Sequence, residues 1–77
     1  MIKRFEVYRT LDISDTHEPN QVNPPEQVQF EGVVFSDGKC VIRWLTESRS
    51  ISVWDDFKTM MSVHGHPEYG SVLKWLD

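Results

Sequence analysis

The sequence predicts a small single α+β domain, in which a twisted, mostly antiparallel sheet of four or five strands carries one helix on one face. Three observations lead to this prediction. Several short segments alternate between apolar and polar residues, as strands with one buried face do. Residues 57–64 instead place apolar side chains at helical spacing. Finally, Asp37-Gly38 separates two apolar runs, as at the tip of a β-hairpin. The predicted order is strand, loop, three strands, helix, strand.

Residues 2–11 form the first predicted strand, because apolar and polar side chains alternate along them. Phe5, Val7 and Leu11 share one face. Arg9 is the exception in the pattern, since it lies on that same apolar face between Val7 and Leu11.

Residues 12–27 are predicted to be a long loop, since they contain three of the four prolines and little apolar periodicity. The pair Pro24-Pro25 is incompatible with both a helix and a central strand. A loop of this length in a small domain is either mobile or a cover over a functional site. Mobility is the favoured interpretation.

Residues 29–46 are predicted to form a β-hairpin closed by a two-residue type I′ turn at Asp37-Gly38. That turn sets a register in which Arg43 lies opposite Gly32. Both faces of the hairpin are then largely apolar. We therefore expect a helix to cover one face, and a partner or a curled sheet to cover the other.

The remaining elements follow from residues 50–76. Residues 50–54 alternate again and predict a fourth strand. Asp55 is the expected N-cap of the helix, and Gly65 is expected to end it as the C′ residue. Residues 71–76 supply the last strand.

Size and composition limit the possible functions. A chain of 77 residues with a single cysteine, Cys40, has no internal disulfide to stabilise a small core, so a homo-oligomer is expected. The net charge of −4 argues against binding to duplex nucleic acid. No apolar run is long enough to cross a membrane, and no signal sequence is recognisable, which predicts a cytoplasmic protein.

Catalytic and metal-binding interpretations are weakly supported by the sequence. His64 and His66, with His17 and Cys40, offer one His-x-His pair but no second paired ligand spacing, so no metal or other cofactor is expected. A hydrolase would have to assemble Ser52 with His64 from tertiary structure. The prediction is that the protein is not an enzyme.

A binding site for a small anion is the more plausible chemistry. Arginine forks suit phosphate and aromatic faces suit bases, and the chain contains Arg9, Arg43 and Arg49 together with Tyr8, Trp44 and Trp54. Arg9 and Arg43 would frame a site if they emerge at the same place. In the alternative, structural interpretation, the arginines pair with nearby glutamates and the tryptophans fill the core.

Several strings along the chain resemble those of a widespread set of small bacterial, phage and prophage proteins. They are Lys3–Arg9, Glu31–Gly38, Arg43–Leu45, His64–His66 and Trp75–Asp77, so the resemblance covers nearly the whole chain outside residues 12–27. The resemblance implies a phage-associated, non-enzymatic intracellular protein. Small phage proteins of this kind include those that sequester the cyclic nucleotide signals of host immunity, a link by context and not by motif.

The expected function is therefore sequestration of a small anionic, nucleotide-like ligand at an oligomer interface. The alternative is a protein–protein interaction module that inhibits or adapts a host or phage protein through a sheet edge or a tryptophan-rich face. The predicted ligand-binding residues are Arg9, Arg43, Trp44, Ser50, Ser52, Trp54, His64 and His66.

Overall fold

The computed structural model describes residues 2–13 and 15–77, and it confirms the predicted α+β class. The strands are β1 (Lys3–Arg9), β2 (Val28–Val34), β3 (Cys40–Trp44), β4 (Ile51–Trp54) and β5 (Ser71–Trp75), and the helix is α1 (Phe57–His64). Short 3₁₀ turns occur at Pro19–Gln21 and Pro67–Tyr69. All five strands form one antiparallel sheet in the order β4-β3-β2-β1-β5. Because β4 and β5 lie at opposite edges, the connection through α1 crosses the sheet.

The hairpin turn differs from the predicted one by a single residue. The Phe35 N–H donates to the Lys39 carbonyl at 2.8 Å, so three residues, not two, form the loop. Gly38 takes the left-handed conformation with φ +91°, while the Asp37 carboxylate accepts from the Lys39 N–H at 3.1 Å. This is the three-residue hairpin loop that ends in a glycine.

The longer loop shifts the register of the hairpin, and the predicted pairing of Arg43 with Gly32 is wrong. Arg43 lies opposite Glu31, and Gly32 lies opposite Ile42. A shift of one residue changes which side chains share a face. The core face of the hairpin therefore carries Phe30, Gly32, Val34, Cys40, Ile42 and Trp44, and the other face carries Glu31, Val33, Val41 and Arg43.

The hydrophobic core lies between the sheet and α1. It contains fully buried side chains from three strands and the helix: Phe5, Val7, Phe30, Cys40, Ile42 and Met60. Gly32 lets this core close, since a Cβ at that position would overlap the ring of Phe5 and lie 2.9 Å from the Val41 carbonyl oxygen. Cys40 is fully buried in this core, as its strand position predicts, and burial raises the pKa of its thiol.

The two ends of α1 are each shifted from the expected residue. The N-cap is Asp56, not Asp55, and its carboxylate accepts from the Thr59 N–H at 2.7 Å. At the other end Gly65 keeps a right-handed φ of −70°, and His66 takes the left-handed conformation with φ 34°. Glycine is nevertheless required at position 65, because a Cβ there would overlap the Met61 carbonyl oxygen.

The segment between β1 and β2 is attached to the sheet by a hydrogen-bonded pair. Buried Gln29 accepts from the Asn23 N–H at 2.9 Å and donates to the Asn23 carbonyl at 2.8 Å. Farther along, the Ser48 N–H donates to the Asn20 carbonyl at 2.8 Å. Among the residues that the structure describes, no helix is both long enough and apolar enough to span a bilayer.

Candidate functional site

A cavity of about 390 Å³ opens where β1, the loop before β2, the segment after β3 and the end of α1 meet. The side chains around it are polar, cationic or aromatic, in contrast to the apolar core next to it. They are Arg9, His17, Gln21, Trp44, Thr46, Ser48, Ser50, His64 and His66. Five of the eight residues predicted from the sequence therefore line one cavity.

Arg9 is the central residue of this cavity. It is the last residue of β1 and follows Phe5 and Val7 on the core face, so the alternation of the strand carries a guanidinium inward. Only 3% of its surface is exposed. Its cation lies 5.9 Å from the centre of the Trp44 ring and 5.1 Å from that of Tyr69. Two aromatic faces thus flank the buried charge, as in cation–π contacts.

The guanidinium of Arg9 has an unsatisfied donor. Within residues 2–13 and 15–77, its Nε–H has no hydrogen-bond partner, and no carboxylate forms an ion pair with it. Burial lowers the pKa of Arg9, while Tyr69 and Glu68 partly offset that effect. An arginine stays charged in proteins. The cavity therefore presents a buried positive charge that the described part of the chain does not neutralise.

An aromatic wall stands beside Arg9. The ring centre of Trp44 lies 4.6 Å from that of Phe30 and 5.1 Å from that of His64, and the Trp54 ring lies 5.4 Å from His64. Desolvation, followed by the positive charges of His66 and Arg9, lowers the pKa of His64. The imidazole of His64 is therefore held in its neutral form more strongly than a free histidine.

Ser52 and Trp54 lie behind this wall. The Trp54 Nε1–H donates to the Ser52 hydroxyl at 3.0 Å, so the two predicted binding residues satisfy each other. Neither side chain is among those that line the cavity. From this position the Trp54 ring packs edge-on against the His64 ring.

His66 forms the rim of the cavity next to α1. Its left-handed backbone turns the imidazole onto Tyr69, with ring centres 4.6 Å apart and nearly parallel. Its Nδ1 lies 2.8 Å from the Glu68 carboxylate. This hydrogen bond is the main reason why the pKa of Glu68 is lowered, and the nearby Arg9 charge adds to it. The rim thus combines an imidazole and a carboxylate within one short turn.

Arg43 does not join this group. It lies on the opposite face of the sheet, where its guanidinium pairs with Glu31 at 2.5 Å and both side chains are partly exposed. We expected the side chains of Arg9 and Arg43 to emerge at the same place, and this expectation depended on the β2–β3 register that a two-residue turn would set. With the three-residue loop, a full sheet thickness separates the two arginines.

Several cavity residues were not predicted from the sequence. They are His17, Gln21, Thr46 and Ser48, with Tyr69 behind Arg9. His17 and Gln21 belong to the proline-rich segment, whose possible role as a cover was a signal for both. His17 had otherwise been considered only as a metal ligand, together with His64 and His66. Thr46 and Ser48 follow β3 in a polar turn.

Histidines at the cavity raise the question of a metal. Within the described residues, no group of three or more His, Cys, Asp or Glu side chains is placed to hold a metal ion. The arrangement instead offers one buried cation, hydroxyl donors, aromatic faces and two imidazoles, which suits an anion attached to a flat ring system.

Fold and cavity together define a small single-sheet α+β protein with a cationic, aromatic-lined pocket. The chain belongs to the Acb5 phage protein family, whose family model matches residues 28–77. This membership confirms the expected association with phage. It also suggests an anti-defence role, directed against a cyclic-nucleotide-based immune system of the host (CBASS). The matched region leaves out β1 and the loop, which supply Arg9, His17 and Gln21. No curated protein and no solved structure matches the chain.

Proposed function

We propose that the protein binds a cyclic nucleotide signal of host defence in the Arg9 cavity and sequesters it. The phage family supports the biological setting, and the cavity supports the chemistry of the ligand. A volume of about 390 Å³ falls in the usual range for small-molecule sites, about 300 to 1,000 Å³.

The observation that carries the proposal is the buried guanidinium of Arg9, whose Nε–H has no hydrogen-bond partner among the described residues. Removing a charge from water without a counter-ion is unfavourable, so buried charges are nearly always paired. A bound phosphate would supply the missing negative charge and accept from the free Nε–H. Arginine also holds phosphate through two parallel hydrogen bonds, which fixes the orientation of the ligand.

The rest of the cavity fits the other parts of a nucleotide. Hydroxyl groups of Ser48 and Ser50 can reach phosphate or sugar oxygens, whereas the buried Thr46 hydroxyl donates to the Ser48 carbonyl at 3.4 Å. The Trp44 ring lines the cavity and is the proposed contact for a base; stacking on an aromatic ring contributes about 1–3 kcal/mol per base. One chain supplies all of these groups.

A ligand panel tests the proposal directly. Cyclic mono-, di- and trinucleotides are added to the full-length protein, and the melting temperature is measured for each. At least one should raise the melting temperature of the wild type and of Arg43→Met, and should leave Arg9→Met unchanged. The two variants remove the same charge from opposite faces, so each is the matched control of the other. Equal shifts for all three proteins would contradict the assignment of the site.

A second candidate function, cleavage of the same phosphodiester, is favoured by one observation. His64 and His66 line the cavity together with Arg9; the first is held neutral and the second contacts a carboxylate. A neutral imidazole as base, a second imidazole as acid and a cation on the phosphate are a known means of acid–base catalysis.

The fate of the ligand separates the two candidates. The protein is incubated with the bound nucleotide and then heat-denatured, and the released nucleotide is analysed by chromatography. Intact nucleotide supports sequestration. A linear product that is lost in His64→Ala or His66→Ala supports cleavage. No melting shift with any nucleotide, together with one specific protein partner in a pull-down, would favour the interaction module instead.

A further inference from the structure

None of the described helices or strands covers the sheet face opposite α1, and this face carries an apolar row. Val33, Val41 and Val53 are neighbours across β2, β3 and β4, because Val41 pairs with both of the others. Val53 is 71% exposed, and Ile51 on the same strand is 66% exposed. A cavity of about 370 Å³ lies on this face, and its floor is mostly apolar.

The adjacent row on the same face is charged. Arg43 pairs across the strands with Glu31, and Glu31 lies opposite Glu6, which in turn lies opposite Lys74. Two central glutamates, each with a cation on its outer side, therefore lie next to the apolar row. An apolar centre with a charged border is the usual anatomy of a protein–protein interface.

We propose that this face is the interface between two identical copies of the chain. In this dimer the two sheets face each other, and the two-fold axis lies between them, parallel to the strands and level with the gap between β2 and β3. The axis places β3 of one copy opposite β2 of the other. Arg43 then faces the partner's Glu31, and Val41 faces the partner's Val33. For these four residues of β2 and β3, each charge meets its opposite and each valine meets a valine, so the surface of the hairpin is complementary to itself.

A second copy fits this face better than an unrelated partner. A surface that serves a partner of one charge would carry mainly the opposite charge, whereas here Arg43 and Glu31 are adjacent and of opposite sign. Sheets that pack face to face remain within about 30° of alignment, which preserves these contacts. The strand spacing and length give about 800 Å² of flat sheet area for two copies, which is less than the roughly 1,200 Å² that specific, stable interfaces bury. The dimer should therefore dissociate on dilution.

The inference concerns the face opposite the Arg9 cavity and does not depend on the proposed function. It also gives Arg43 a role in the structure. The charge pair would be intramolecular in the monomer and would bridge two chains in the dimer.

Charge reversal provides the test. The wild type, Arg43→Glu and Glu31→Arg are sized separately by sedimentation equilibrium over a range of concentrations, and the two variants are then mixed. The wild type should dimerise, and each variant alone should be monomeric because like charges face each other. The mixture should form a heterodimer, since each reversed charge meets its opposite on the other chain. Circular dichroism verifies that each variant is folded.

If charge reversal prevents folding, Val53→Lys is used as a second variant. Val63→Lys is its matched control. Both valines are exposed, but Val63 lies on α1, away from this face. The control should remain dimeric and Val53→Lys should not. A monomeric wild type at millimolar concentration overturns the proposal. A dimer that survives either reversal, or variants that fail to pair on mixing, also overturns it.

Discussion

Replacing Arg9 with methionine should weaken ligand binding at least about tenfold and change the stability of the protein only slightly. Methionine retains the length of the side chain and removes the charge. The Nε–H without a partner costs about 1–3 kcal/mol in the folded state. The contacts with Trp44 and Tyr69 return about 0.5–1 kcal/mol each. Arg9→Met should therefore change the free energy of unfolding by between about −1 and +2 kcal/mol.

Urea denaturation measures this change, with the same slope expected for both proteins. Since about 1 kcal/mol shifts the melting temperature of a domain of this size by about 4–8 °C, thermal denaturation serves as a second readout. A site maintained for function commonly lowers stability in this way. If Arg9→Met loses more than about 2 kcal/mol, then Arg9 stabilises the fold and its unpaired donor has been misinterpreted.

Three further predictions concern the stability of the fold. Folding lowers the pKa of His64, so the contribution of neutral His64 to stability is complete above the ordinary pKa of 6.5 and declines as the pH falls below it. The melting temperature of His64→Phe should therefore depend less on pH than that of the wild type. Gly32→Ala should destabilise the protein by about 1–3 kcal/mol in urea denaturation, because the new methyl group meets the Phe5 ring; a neutral effect would show that the ring moves freely. Asp56→Ala should lower the melting temperature more than Asp55→Ala, since only Asp56 accepts from a helix N–H; equal effects would contradict the cap assignment.

The strands, the helix and their order could be predicted from the sequence because each depends on a local pattern. The alternation in β1 identifies its buried face, and the spacing from Phe57 to His64 identifies α1. What local patterns did not decide was the exact loop at Asp37-Gly38. Two-residue and three-residue loops both accept this dipeptide. One extra residue then moved Arg43 to the far side of the sheet.

The candidate site was predictable in part for a related reason. Arg9, Trp44, Ser50, His64 and His66 were chosen for their chemistry, and the structure places them around one cavity. The loop residues His17 and Gln21 were missed, because side chains in a segment without periodicity give no indication of where they point. Their position depends on long-range hydrogen bonds such as the one from Ser48 to Asn20, and these do not appear in any local pattern.

The most direct test of the Arg9 site is calorimetric titration with the cyclic nucleotide that gives the largest melting shift. The titration is carried out on the wild type, Arg9→Met and Arg43→Met. We expect the wild type and Arg43→Met to bind with similar affinity. Arg9→Met should bind at least about tenfold more weakly, which corresponds to about 1.4 kcal/mol. Full binding by Arg9→Met, or loss of binding in Arg43→Met alone, would contradict this expectation.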